Sequence, residues 1–149
     1  MTTRKAPIQL QDLVFAWRDD SPDNIYYFDK LTGEVRLVNR NLLELKDLTD
    51  EIELHRERYL YLPKANPKVL KDDLTDFKKT VSDQKRQSVL DIAFESPHVY
   101  SAFKKILAAW EGESERLEQF LDARARLRVF QWLEGNCIET DSLKTSERD

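Results

Sequence analysis

Arg124 and Arg128 stand one helical turn apart in a stretch, 114–134, that has apolar residues to either side of them. At about 100° per helical residue, Leu117, Leu121, Ala125, Val129 and Trp132 fall on one arc. Phe120, Ala123, Leu127 and Phe130 fall on another. Arg124, Arg128 and Gln131 occupy the narrow gap between Phe120 and Leu121, and the main polar face lies elsewhere, at Glu118, Asp122 and Arg126. Apolar residues on both flanks of a polar stripe predict a helix buried on two sides. Guanidinium groups held there could do one of two things. They could lie over aromatic rings and pair with carboxylates of a neighbouring helix, their stems acting as packing. Alternatively, with Lys104 and Lys105 from the preceding helix, they could line a groove for an anion or for an acidic segment of a partner protein. The candidate groove is therefore Arg124, Arg128, Lys104 and Gln131.

Other chemistry finds no support in the spacing. His55, His98 and Cys137 are the soft ligands, with no CxxC or HxxxH pair among them, so neither a metal nor a cofactor is expected. Cys137 follows Gly135-Asn136 with nothing adjacent to activate a thiolate, and it reads as a small residue packed beside Ile138. Ser96-Pro97-His98 sets a base near a hydroxyl, but a helix cap at Ser96 accounts for it. The chain has three glycines, too few for a phosphate cradle. Asp19-Asp20 reads as part of a turn, and Asp72-Asp73 as a solvent face on which neighbours diverge by roughly 100°. No catalytic residue is assigned, and the reading leans away from an enzyme.

The elements that would position these side chains follow from breakers confined to boundaries. Leu10, Leu13, Val14 and Trp17 recur at helical spacing and predict a first helix, ended by the cluster 19–24. Two β-type runs around Gly33 predict a hairpin over 25–38. Residues 40–57 are either a helix through Leu42, Leu45, Leu48 and Ile52 or a mobile acidic insertion. Arg58 to Leu62 predicts a third strand, stopped by Pro63. From Asn66 onward the pattern is helical, with cap-then-proline signals at Asn66-Pro67 and Ser96-Pro97 and a cap at Ser82 or Asp83. Leu70, Leu74, Phe77 and Val81 point inward on one helix, and Val89, Leu90, Ala93 and Phe94 on the next. The expected class is α+β: a small antiparallel sheet of about three strands, an N-terminal helix and a C-terminal bundle of about four helices, with helices closing over one face of the sheet. One domain is expected over 1–149, its ordered core about 8–139 and its polar end, 140–149, frayed.

Composition narrows the function classes. A net charge of −4 argues against a dedicated nucleic-acid binder, whose affinity comes from clustered Lys and Arg. Residues 64–86 do hold seven basic against four acidic side chains, which leaves weak nucleic-acid association as an alternative. Tyr26, Tyr59 and Tyr61 could stack bases there, although Tyr59 and Tyr61 share one strand face and would be core if a helix covers it. The chain's single cysteine suits a reducing compartment. No window approaches the roughly 18 apolar residues of a membrane helix. A cytoplasmic setting without membrane contact is expected.

Five short motifs in order resemble a bacterial uncharacterised protein family, number 0158. They are Leu10-Gln11-Asp12-Leu13; the run Tyr26-Tyr27-Phe28-Asp29-Lys30-Leu31-Thr32-Gly33-Glu34-Val35; Arg58-Tyr59-Leu60-Tyr61-Leu62-Pro63; Tyr100-Ser101-Ala102-Phe103-Lys104; and Phe120-Leu121-Asp122-Ala123-Arg124 followed by Trp132-Leu133. The similarity spans about 8–139 and departs from the family at 40–57 and at Asn136-Cys137. It implies a single intracellular domain and assigns no activity, cofactor or catalytic residue. The combined expectation is a non-enzymatic binding or regulatory module for an acidic partner segment. The alternatives are weak nucleic-acid association and an enzyme acting on a small anionic metabolite.

Overall fold

A computed structural model describes residues 9–39 and 45–138. Their elements run α1 (Leu10–Arg18), β1 (Asn24–Asp29), β2 (Val35–Asn39), α2 (Leu45–Leu54), a 3-10 turn at Arg56–Arg58, β3 (Tyr59–Tyr61), α3 (Pro67–Lys79), α4 (Gln84–Ala93), α5 (Val99–Leu107) and α6 (Glu113–Gly135). The class is α+β, with an antiparallel sheet in the order β2-β1-β3. The ambiguous stretch 40–57 holds the helix α2; residues 40–44, like 139–149, lie outside the described residues. The described residues divide into two compact units, one from those up to Ala65 together with those from Ala125 on, the other Asn66–Arg124.

In the first unit, Gly33 takes a φ of 79°, which a side chain would strain. Its N–H donates to the Asp29 carbonyl at 2.7 Å, and the Asp29 N–H donates to the Glu34 carbonyl at 2.8 Å, closing the hairpin loop. The register sets Phe28 opposite Val35 and Leu60, and Tyr27 opposite Arg36 and Tyr61. Strand side chains alternate, so Phe28, Val35 and Leu60 share one face. That face packs on Leu13, Val14 and Ala16 of α1 and on Ala125, Val129 and Leu133 of α6. Trp132 meets Trp17 and Phe28 edge-on, with centroids 5.8 and 6.3 Å apart. Ile25, Tyr27, Val38 and Tyr59 make the opposite face too apolar to leave in water, and α2 covers it with Ile52 and Leu48. Both faces are therefore covered, where the sequence calls for only one.

In the second unit, Asn66 caps α3 by accepting from the Lys68 N–H at 2.9 Å, and Asp83 caps α4 from the Lys85 N–H at 2.9 Å. Leu74, Phe77, Leu90, Phe103, Leu107 and Leu117 fill the core. Val89 does not point inward as expected. The buried residues of α4 are Leu90 and Ala93 alone, a stripe too narrow to include it, and Val89 is 41% exposed. His98, not Ser96, takes the cap position of α5, while the Ser96 hydroxyl accepts from the His98 N–H at 3.0 Å.

Candidate functional site

The arginines of interest sit on α6, where burial repeats every fourth residue. Leu117, Leu121, Ala125, Val129 and Leu133 are buried, while Gln119, Ala123, Leu127 and Gln131 are exposed. A four-residue step overshoots the 3.6-residue turn, so each line winds around the helix by about 40° per step. The two apolar arcs expected from sequence are corrected accordingly. Leu133 takes the buried line in place of Trp132, and Leu127 is 55% exposed. Arg116, Phe120, Arg124, Arg128 and Trp132 form a half-buried flank between the two lines.

On that flank Arg124 lies 4.8 Å over the Phe120 ring, and its Nη1 donates to Asp76 Oδ2 at 3.0 Å and toward Asp73 Oδ1 at 3.4 Å. Phe120 in turn meets Phe77 edge-on at 5.5 Å. Arg116 repeats the arrangement: it lies 4.2 Å over Phe77, donates to both Glu113 carboxylate oxygens at 3.0 and 2.9 Å, and reaches the Thr80 hydroxyl at 2.7 Å. These are the contacts of the packing alternative. Asp73 is 4% exposed, so its expected solvent position is corrected; the Arg124 guanidinium is one of the groups that make its burial tolerable. With two carboxylates already facing Arg124, little of its field remains for a further anion. Arg124→Ala is expected to lower stability by about 1 kcal/mol, because the side chain is partly exposed and the pair is screened. Urea titration checks the value.

Lys104 belongs to a different side of α6. It is exposed, 4.9 Å over the Tyr100 ring, and the Tyr100 hydroxyl donates to Glu118. Glu118 and Arg124 project about 120° apart around the helix. Arg128 is half-buried one turn beyond Arg124, and Gln131 is exposed. Arg124 and Arg128 therefore share a flank and Gln131 lies on the exposed line, while Lys104 stands over Tyr100, whose hydroxyl meets Glu118.

A second polar centre was not singled out from sequence. Asp29 is fully buried in the first unit, and Arg58 grips it with Nε to Oδ1 at 2.8 Å and Nη2 to Oδ2 at 2.7 Å. The Leu31 and Thr32 N–H groups also donate to Oδ1, at 2.9 and 3.3 Å. The Arg58 carbonyl accepts from the Lys30 N–H at 2.8 Å, so backbone and side chain together tie the hairpin loop to β3. The Arg58 guanidinium, ahead of the loop N–H groups and against the effect of burial, holds the Asp29 carboxyl well below the usual carboxylate range. The available signal was an aspartate two and three residues ahead of backbone donors in a Gly-containing loop.

The face under α2 forms a third arrangement. Register places Arg36, Tyr27 and Tyr61 in one row across the sheet, with the Tyr27 and Tyr61 rings edge-on at 5.7 Å. Tyr61 is 49% exposed, whereas Tyr59 is 6% exposed and, among the described residues, its hydroxyl has no hydrogen-bond partner. Burying Ile52 stabilises the seating of α2 by about 1.5–3 kcal/mol. An unpaired buried hydroxyl costs about 1–3 kcal/mol. Arg36 and Glu51 add a loose, half-exposed ion pair at 3.7 Å. Local terms therefore leave α2 seated by a small margin.

The family model described as "Uncharacterised protein family (UPF0158)" matches residues 6–147. The chain belongs to this family. UPF0158 proteins of Chlamydia pneumoniae, Chlamydia trachomatis and Chlamydia muridarum are each 26% identical to it over 133 residues. That is 87% of this chain but 40% of the first protein and 39% of the other two, so the chain spans about two fifths of the relatives' length. No solved structure matches. In this UPF0158 chain the motif residues divide by role. Asp29, Gly33 and Arg58 lock the hairpin to β3; Phe28, Phe103 and Trp132 pack; Arg124 bridges to α3. Among the described residues, no three His, Cys, Asp or Glu side chains gather as a metal ion requires, and no helix is long and apolar enough to cross a membrane.

Proposed function

We propose that this UPF0158 chain is a non-enzymatic, cytoplasmic binding module that holds an acidic segment of a partner protein against the outer face of α4. One observation carries the reading: Val89 and Ile92, one turn apart, are 41% and 65% exposed. Adjacent apolar groups on a surface helix mark a contact surface more often than single ones do. Lys85 and Arg86 are exposed one turn earlier, and Arg86 is braced 4.7 Å over the Trp110 ring. A partner offering apolar residues followed by carboxylates would match this order of apolar and basic side chains.

The test is a titration of the isotope-labelled chain with a helical Leu/Glu peptide, followed by amide shifts. Shifts should concentrate on α4 and the Trp110 indole, and Ile92→Asp should weaken binding at least tenfold while the fold is kept. Shifts scattered over other elements, or an unchanged affinity in Ile92→Asp, would overturn the reading. Lys68, Lys71, Lys85 and Arg86 are all exposed, which favours nucleic acid as the second reading. An oligonucleotide that shifts these amides with affinity falling steeply in salt, where the peptide does not, would replace the first reading by the second.

A further inference from the structure

We infer that α2 is a displaceable cover, and that the sheet face beneath it is a docking surface for an acidic amphipathic helix of a partner protein. The occupant already seated there defines what fits. Over residues 47–54, α2 carries Asp47, Asp50, Glu51 and Glu53 and no basic side chain, and it faces the sheet with Leu48 and Ile52. Its counterpart on the sheet is the row Arg36, Tyr27 and Tyr61, flanked by Ile25, Val38 and Tyr59. The cover is incomplete. Ile52 is the buried side chain among residues 47–54, Tyr61 stays 49% exposed, and Arg36 meets Glu51 at 3.7 Å.

The Tyr59 hydroxyl adds an observation independent of apolar area. It is enclosed under the cover, and the described residues supply no acceptor for it. A partner helix that kept the leucine–isoleucine spacing and the carboxylate toward Arg36, and placed a carboxylate or amide oxygen over Tyr59, would make every contact α2 makes and one more. Such a helix displaces α2 because the exchange removes an unpaired buried donor.

Hydrogen exchange on the full chain provides the first test. Amides of residues 49–54 should exchange at least a hundredfold faster than those of β1, through local opening; equal protection would overturn the proposal. Tyr59→Phe removes the orphan hydroxyl and should slow exchange of those α2 amides several-fold, whereas unchanged or faster exchange counts against it. The second test is fluorescence anisotropy with a labelled, helix-stapled peptide of sequence 45–54. Ile52→Asp in the chain, which unseats the resident helix, should raise affinity for this peptide at least tenfold. Adding Arg36→Glu should return it to the starting value. No gain in Ile52→Asp with β1 amides still protected, or a gain insensitive to Arg36→Glu, sinks the proposal. Should Ile52→Asp fail to fold, Leu48→Ala serves in its place with the same two outcomes.

Discussion

Asp29→Ala is expected to lower the stability of the chain by about 1–3 kcal/mol, a sizeable share of the 5–15 kcal/mol a domain typically has. The carboxylate is fully buried and accepts from Arg58 twice and from two loop N–H groups. Removing it leaves the two loop N–H groups without their acceptor, while the Arg58 guanidinium, 27% exposed, can turn to water. Asp29→Asn keeps the shape and the loop bonds but not the charge, so it should cost less than Asp29→Ala. The effect also has a pH signature. Because the folded-state carboxyl sits well below its unfolded value near 4, its contribution is complete above that value and is lost as pH falls through the folded one. From pH 7 to about pH 5 the stability gap between wild type and Asp29→Asn should stay constant, and below pH 4 it should narrow. Chemical denaturation at a series of pH values gives the comparison. A gap that widened on acidification would show that Asp29 is not the group being titrated.

This pair also shows where the sequence stops being legible. The hairpin could be read because Gly33 and its flanking β-formers are local, and α3 because Asn66-Pro67 is a local cap. Asp29 and Arg58 are 29 residues apart, and only the pairing of β1 with β3 brings them together. Nothing in the linear pattern fixes that register. The helical face around Arg124 was half legible for a related reason. Counting at 100° per residue places Arg124 beside Phe120 correctly, and the ring contact at 4.8 Å follows. What it cannot give is which residues of an apolar arc find a neighbour: Phe120 meets Phe77, while Leu127, on the same arc, stays 55% exposed. Lys104 shows the same limit: helix spacing says which residues share a face, but α5 meets α6 at Glu118 through Tyr100, on a side that spacing alone does not name. In the segment 40–57, Leu48 and Ile52 carry the helical period, but the covering role of α2 required the sheet face to exist first.

Phe28→Ala and Phe103→Ala are each expected to cost about 3–5 kcal/mol, and the pattern of their effects says more than their size. Both rings are fully buried, Phe28 in the first unit against Trp132 and Phe103 in the second against Phe94 at 5.1 Å. α6 is one unbroken helix whose Leu117 and Leu121 belong to the second core and whose Ala125, Val129 and Leu133 belong to the first. If either core melts, half of α6 loses its packing, and a helix that has lost tertiary contacts on half its length is marginal in water. The two cores should therefore unfold as one cooperative domain. Circular dichroism and tryptophan fluorescence should report coincident transitions in the wild type, and each variant should shift that shared transition to lower temperature. Trp17 and Trp132 lie in the first core and Trp110 packs on the second, so fluorescence samples both. A Phe103→Ala variant in which the signal of Trp110 moved while that of Trp17 and Trp132 held its midpoint would mean two independent folding units. The proposed docking face on α4 would then belong to a module separable from the sheet.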